Sequence, residues 1–346
     1  MATIAINGLG RIGRAALKII LETPELELLA VNDIAPIDNL AYLLRYDTIY
    51  GRYDKPVEVE GNNLVIAGEK IPVYNQKDPA HLPWGETGVD IVIESTGVFT
   101  NMEGLHKHIE AGAKYVLLSA PVKGEGVGTV VHGVNQPGKP ARIISCASCT
   151  TNAIAPVVEI VDRRIGVKKA TMTTIHAYTS SQAIVDAPSK KFRRGRAGAA
   201  NLVPTTTGAA IATTKAIPSL EGKFDGVAVR APIPVGSIAD ITFVTERPTT
   251  VEEVNQIFEE EAQTDRYNKV VSATWDPIVS SDIIQDPHAS IIDLEMTQVV
   301  DGDLVKVMSW YDNEWGYTSQ LIREAVRISE EAEDIQPEKK QVQPTG

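Results

Sequence analysis

Six residues near the start of the chain, Gly8-Leu9-Gly10-Arg11-Ile12-Gly13, constrain its fold more than any other feature. They follow the apolar run Thr3 to Asn7 and open a helical pattern from Arg11 to Leu21. Glycines at such a junction allow a tight turn and close approach of the backbone to a ligand, and the free N–H groups of the helix start favour a pyrophosphate. A second β-rich run, Glu27 to Asn32, ends at Asp33, 20 residues beyond Gly13. A carboxylate at that point meets the ribose hydroxyls of an adenosine and repels a 2′-phosphate, so NAD is favoured over NADP. The order strand, glycine turn, helix, strand builds a parallel sheet. The predicted fold class is therefore α/β.

With 346 residues the chain has room for about two such units. Short strands broken by turns over Val57 to Tyr74 read as inserted hairpins; the β/α order resumes with a strand at Val89 to Ile93, a helix at Asn101 to Ala111 and a strand at Tyr115 to Leu118. That completes a first domain near residue 148. From Cys149 the pattern changes to a helix reaching about Ile165, then β-branched runs at Ala170 to Ala177, Gly226 to Ala231 and Ile238 to Thr245. Helices at Gly208 to Ala216 and Val251 to Gln263 and a strand at Leu304 to Tyr311 follow. These predict an α+β domain on a large mixed or antiparallel sheet. A last helix, Tyr317 to Ala332, carries Leu321, Ile322, Ala325, Val326 and Ile328 at helical spacing, and 333–346 reads as a polar tail.

Lys and Arg total 33 against 45 acidic residues, a formal charge of −12. Broad attraction to nucleic acid or anionic membrane is thereby disfavoured, and an anionic ligand requires locally concentrated positive charge. The only cysteines, Cys146 and Cys149, lie too close together to close a long loop, and no apolar run is long enough to span a membrane. A cytoplasmic setting is expected.

Ser148-Cys149-Thr150-Thr151-Asn152 opens a helix after a strand. The helix dipole and free N–H groups stabilise a thiolate there, an effect that can lower a thiol's ionisation by a unit or more from about 8.5. It is a candidate nucleophile, or else a small buried hydrophobe, and a nearby base decides between the two. His81, His106, His108, His132 and His288 lie in polar helical or loop contexts and form no pattern. His176 ends the run Ala170 to Ile175, where a strand terminus faces a cleft, and supplies an imidazole for Cys149. Thr179, Ser181, Arg196 and Arg230, with Ser148, Thr150, Thr207 and Gly208, offer the hydroxyls, guanidinium forks and helix-start N–H groups that hold phosphate. The basic run Lys190 to Arg196 contains a single aromatic in an acidic chain, which favours a solvated loop over a nucleic-acid patch. Cys146 and Cys149 have C-x-x-C spacing, but no second such pair or histidine pair completes a zinc site, and no metal is expected.

Several signatures occur together and in order: Asn7 to Arg14, Glu94-Ser95-Thr96-Gly97-Val98-Phe99, Ser119-Ala120-Pro121, Ala147 to Asn152, His176, Pro204 to Ala210, and Tyr311-Asp312-Asn313-Glu314-Trp315-Gly316-Tyr317. Over about Ala2 to Glu331 the sequence resembles the phosphorylating glyceraldehyde-3-phosphate dehydrogenases. The resemblance implies a Rossmann-type doubly wound NAD domain of residues 1–148 plus the last helix (about 316–332), a catalytic domain of 149–315, and a homotetramer. It implies coenzyme binding by Asn7, Gly8, Gly10, Arg11, Ile12, Asp33, Ser95, Thr96, Ser119, Asn313 and Tyr317, with Arg11-Ile12 at the pyrophosphate and Asn313 on the nicotinamide amide. Thr179 to Asn201 corresponds to the S-shaped loop at coenzyme sites and subunit contacts. Thr179, Arg196 and Arg230 correspond to the holders of the substrate phosphate, and Ser148, Thr150, Thr207 and Gly208 to those of inorganic phosphate.

The implied reaction is oxidation of an aldehyde through a Cys149 hemithioacetal and thioester, with His176 as base. Erythrose-4-phosphate dehydrogenase and a non-catalytic NAD- or RNA-binding protein are the alternatives. Cys146 stands where the family commonly has asparagine and Ala153 where many members have a second cysteine, while Ser181 keeps the hydroxyl of a frequent threonine. Ala187-Pro188 is mixed between NAD-specific members and photosynthetic members that also use NADP, which leaves NADP as a secondary coenzyme.

Overall fold

The computed structural model describes residues 1–136 and 141–334. β1 (Ala2–Asn7), α1 (Arg11–Ile20) and β2 (Leu26–Asn32) form the expected first unit, with Asn7 opposite Asn32 in a parallel pair. The next helix, α2 (Ile37–Arg45), was not anticipated; it leads into a two-residue ladder of β3 (Tyr46–Asp47) and β4 (Gly51–Arg52). β5 (Val57–Glu60), β6 (Asn63–Ile66) and β7 (Glu69–Tyr74) make antiparallel hairpins, as read, but β7 also runs parallel to β2 and joins them to the main sheet.

After the short α3 (Trp84–Thr87) come β8 (Ile91–Glu94), α4 (Met102–Glu110), β9 (Tyr115–Leu118), β10 (Gly128–Thr129) and β11 (Ile143–Ser145). α4 begins where Asn101 Oδ1 accepts the Gly104 N–H, which satisfies one of the free donors of its first turn. The sheet order is β10-β11-β9-β8-β1-β2-β7-β6-β5. β1 is flanked by β2 on one side and β8 on the other, both parallel to it, so the chain reverses its direction of winding there. The crevice at the carboxyl ends of these strands is where such a sheet binds ligands.

α5 (Cys149–Arg164) is buried from Thr150 to Val158 and forms the spine of the second core. β12 (Val167–Ala177), β13 (Val203–Thr206), α6 (Ala209–Ala216), β14 (Phe224–Ala231), β15 (Ser237–Thr245), α7 (Val251–Glu261), β16 (Val271–Thr274), β17 (Ser290–Val300) and β18 (Leu304–Tyr311) follow. They build a mixed sheet in the order β13-β14-β12-β15-β18-β17-β16. The three widely spaced β-branched runs are its centre; β13, β16 and the long β17 were not anticipated. β15 alternates buried and half-buried residues along its length. Its buried Ala239, Ile241 and Phe243 pack in the core with α5, and the other face stays partly open.

α8 (Trp315–Asp334) returns to the first sheet, where Leu321, Ile322, Ala325 and Ile328 share a core with Ile4, Ala16 and Leu17. Burying side chains of this size stabilises by about 1.5–3 kcal/mol each, which explains why the last helix leaves the domain that precedes it. The helix runs two residues beyond the expected Ala332; the remainder of the tail, 335–346, lies outside the described residues.

Candidate active site

The glycine turn after β1 is closed by contacts that only glycine permits. Gly8 has φ near +95°, and a Cβ on Gly13 would lie 1.9 Å from the Gly8 carbonyl oxygen. At Gly10 nothing stands within 4 Å of a Cβ position, so the backbone is open to a ligand. A cleft of about 460 Å³ runs past this turn, lined by Asn7, Gly8, Gly10, Asp33, Ser95 and Thr96 from the sequence reading, and by Asn32, Gln76, Lys77 and Phe99, which it missed. Asp33 Oδ2 accepts the Leu9 N–H at 2.7 Å and Oδ1 the Ala35 N–H at 2.9 Å, which fixes the carboxylate at the end of β2. The extended shape, the open helix start and this carboxylate fit a dinucleotide.

Beneath the cleft, the fully buried Glu94 carboxylate accepts hydrogen bonds from Thr96 N–H at 2.9 Å and from Asn7 Nδ2 at 2.5 Å. His108, also fully buried, lies with Nε2 3.0 Å from Glu94 and accepts Trp84 Nε1–H on Nδ1. That pattern assigns its proton to Nε2. A histidine without sequence pattern thus supports the cleft floor.

Cys149 opens α5, whose N-cap Ser148 accepts the Thr151 N–H at 3.1 Å. Ala147, fully buried, has φ near +57° and turns the chain from β11 toward the helix. The Cys149 Sγ stands 3.4 Å from His176 Nε2. His176 is opposite Arg230 in the parallel register of β12 and β14, so both side chains reach the same strand end. His176 Nδ1 is 2.7 Å from the Ala177 carbonyl and 2.7 Å from Arg230 Nη1. Only the tautomer that donates from Nδ1 to Ala177 leaves Nε2 a lone pair for the thiol proton.

The structure corrects one electrostatic expectation. Burial pushes the Cys149 thiol above its ordinary value, against the opposing pull of Arg230 and of hydrogen bonds at Thr150. Burial, with Arg230, pushes His176 down to about 3. Loss of solvent thus works against the helix start at this thiol, and against a charged imidazole beside it.

The pair lies in a cavity of about 240 Å³ lined by Ser148, Thr150, Thr207, Gly208 and Arg230, as read, and by Lys191 and Arg194. Arg230 Nε is buried without a hydrogen-bond partner among the described residues. Arg196 is not in the lining: it pairs with Asp186 at 2.8 Å, and both side chains are more than half exposed. Within the same basic run, Arg194 faces the cavity because its guanidinium is held by Thr205 Oγ1 and the Thr206 carbonyl. Sequence alone offered no means of choosing between them. Thr179 and Ser181 bond each other at 2.8 Å and are also absent from the lining.

Five coenzyme candidates lie outside the dinucleotide cleft lining. Arg11 turns its side chain to Asp47 and Glu314, and Ile12 packs on the apolar core. Ser119 donates its N–H to the Glu94 carbonyl, and the buried Tyr317 donates its hydroxyl to the Ala147 carbonyl. Asn313, also buried, accepts from Gly236 N–H and Ser237 Oγ. Tyr311, quoted in a signature but given no role, places its buried hydroxyl 3.1 Å from Thr150 Oγ1 and 2.7 Å from Thr174 Oγ1. It ties the start of α5 to the strand that carries His176.

A dinucleotide cleft on the first sheet and a thiol–imidazole pair at the start of α5 fit one class: an NAD-dependent oxidoreductase. Residues 2–102 match the model of the glyceraldehyde 3-phosphate dehydrogenase NAD binding domain, and 148–313 that of the C-terminal domain. The chain is 45% identical over 330 residues to a glyceraldehyde-3-phosphate dehydrogenase of Zymomonas mobilis, covering 94% of this chain and 98% of that protein. It is 46% identical to one from Geobacillus stearothermophilus (94% and 98% covered) and 48% identical to one from Thermotoga maritima (93% and 97%). The chain belongs to the glyceraldehyde-3-phosphate dehydrogenase family, and its coenzyme is NAD.

Proposed function

We propose that the protein oxidises D-glyceraldehyde 3-phosphate, with NAD and inorganic phosphate, to 1,3-bisphosphoglycerate, reversibly. The carrying observation is the Cys149–His176 contact on a cavity that also holds Arg230, Arg194 and Lys191. Cys149 Sγ attacks the carbonyl carbon while its proton moves to His176 Nε2. The proton passes to the carbonyl oxygen, giving a hemithioacetal. NAD, when bound, accepts the hydride. His176 takes back the hydroxyl proton in that step, leaving a thioester on Cys149. Phosphate attacks the thioester carbon, and Cys149 departs with the proton from His176.

Arg230, with its buried free Nε, is assigned to phosphate binding, as are Ser148, Thr150, Thr207 and Gly208. Arg194 replaces Arg196 in that set, while Thr179 and Ser181 reach a substrate only by movement of their loop. Asn313 is assigned to the nicotinamide amide, the α1 N–H groups of Arg11 and Ile12 to the pyrophosphate, and Tyr317 to support of the nucleophile turn. Residues 1–148 with α8 form the coenzyme domain and 149–315 the catalytic domain. Ile184 and Phe192 are each 89% exposed, and Val185, Leu202 and Val227 are also exposed apolar residues. This apolar surface supports a homotetramer. Two free cysteines support a reducing, cytoplasmic setting; among the described residues no helix is long and apolar enough to cross a membrane.

NADH absorbance tests the reaction with glyceraldehyde 3-phosphate, NAD and phosphate, with phosphate omitted in one arm and Cys149→Ser in another. Turnover needing both is expected. Sustained turnover without phosphate points instead to release of a free acid, as in erythrose 4-phosphate oxidation, and activity in Cys149→Ser refutes the nucleophile.

A further inference from the structure

We propose that Glu314 is a positioning residue for the nicotinamide end of the coenzyme, acting through Arg11 and the turn that carries Asn313. The proposal rests on the reading of Asn313 as the nicotinamide anchor. Arg11 is the first residue of α1, directly after the glycine turn. Asn313 lies in the short connection between β18 and α8, far away in sequence, and its neighbour Glu314 is in contact with Arg11.

Both flanks of Asn313 are tied to the first sheet's side of the molecule. On one flank, Glu314 Oε2 accepts from Arg11 Nε at 2.8 Å and Nη2 at 2.5 Å, while Arg11 Nη1 donates to Asp47. On the other, Tyr50 donates its hydroxyl to Asp312 at 3.0 Å and places its ring 5.2 Å from the Arg11 guanidinium carbon. Asp312 in turn accepts the backbone N–H groups of Gln285, Glu314 and Trp315, which sets the shape of the turn. Asn313 Oδ1 accepts from Gly236 and Ser237 on the catalytic sheet, so Nδ2 remains the amide's donor for a carboxamide.

The Glu314 side chain is 14% exposed, that of Asp47 6% and that of Arg11 34%. A pair this enclosed is weak support for stability, because desolvating both charges offsets their attraction; fixing a geometry is its better-attested use. Here the geometry fixed is the spacing between the pyrophosphate helix and the nicotinamide anchor. Removing the Glu314 charge frees Arg11 from the turn and loosens Asn313 without touching the adenosine end of the cleft, which Asp33 holds.

Calorimetric titration of the intact protein with NAD and with ADP-ribose, which lacks nicotinamide, separates positioning from general support. Glu314→Gln is expected to weaken NAD about tenfold, the size of one lost charge-assisted hydrogen-bond pair, with ADP-ribose changed less than about twofold. Arg11→Lys, which keeps the charge and loses the fork, is expected to shift in the same direction, and carries the test if Glu314→Gln lowers Tm. Equal weakening of both ligands, or no change in either, overturns the proposal. Asn313→Ala is the control: if it leaves the ratio of NAD to ADP-ribose affinity intact, the anchor reading fails and the proposal falls with it. If it lowers that ratio and Glu314→Gln does not, positioning alone is refuted.

Discussion

Replacing His176 by asparagine tests its role as the base for Cys149 directly. In the wild type the base lies 3.4 Å from the thiol and ionises near 3, so it is in its proton-accepting form throughout the neutral range. In His176→Asn the thiol must lose its proton to solvent. An ordinary thiol is only about 3% ionised at about pH 7, and burial holds Cys149 above the ordinary value, so the variant has still less thiolate. A positioned base contributes about 100- to 10,000-fold, and the pre-steady-state NADH burst is expected to slow by at least the lower figure. The variant's burst should then climb roughly tenfold per pH unit from about pH 7 to 9, while the wild type rises less steeply. A variant within about threefold of wild type, or one whose profile is flat, refutes the assignment of His176 as base.

Arg194→Gln is expected to raise KM for phosphate about tenfold or more, from loss of a charged hydrogen-bond donor at the cavity, while Arg196→Gln changes it less than about twofold; the reverse ranking restores Arg196. Gly13→Ala drives a Cβ against the Gly8 carbonyl, costs about 1–3 kcal/mol by overpacking, and should weaken NAD in a direct titration while lowering Tm. Because His176 binds its proton less readily folded than unfolded, stability falls with acidity from about 6.5 toward 3; denaturant titrations should show a smaller loss in His176→Asn over that window. Tyr311→Phe leaves Thr150 and Thr174 without their shared partner, and is expected to lower both Tm and kcat.

The sequence by itself determined the features that are local in the chain. Gly8 to Gly13, the spacing to Asp33, and Cys149 at the start of a helix are short-range patterns whose backbone requirements are written in consecutive residues, and each stands in the kind of element expected for it. Periodicity similarly placed most helices and the central strands, including the apolar stripe of α8, but not its return to the first sheet. Long-range register decided the rest. Sheet pairing set His176 opposite Arg230, and folding of the basic run turned Arg194 inward and Arg196 toward Asp186. Tertiary burial acts on Cys149 against the helix start, since desolvation depends on everything packed around a group. The same holds for Glu94 with His108, for Tyr311 and for Arg11 with Glu314. Their partners lie from 14 to 303 residues away, a distance at which no local pattern carries information.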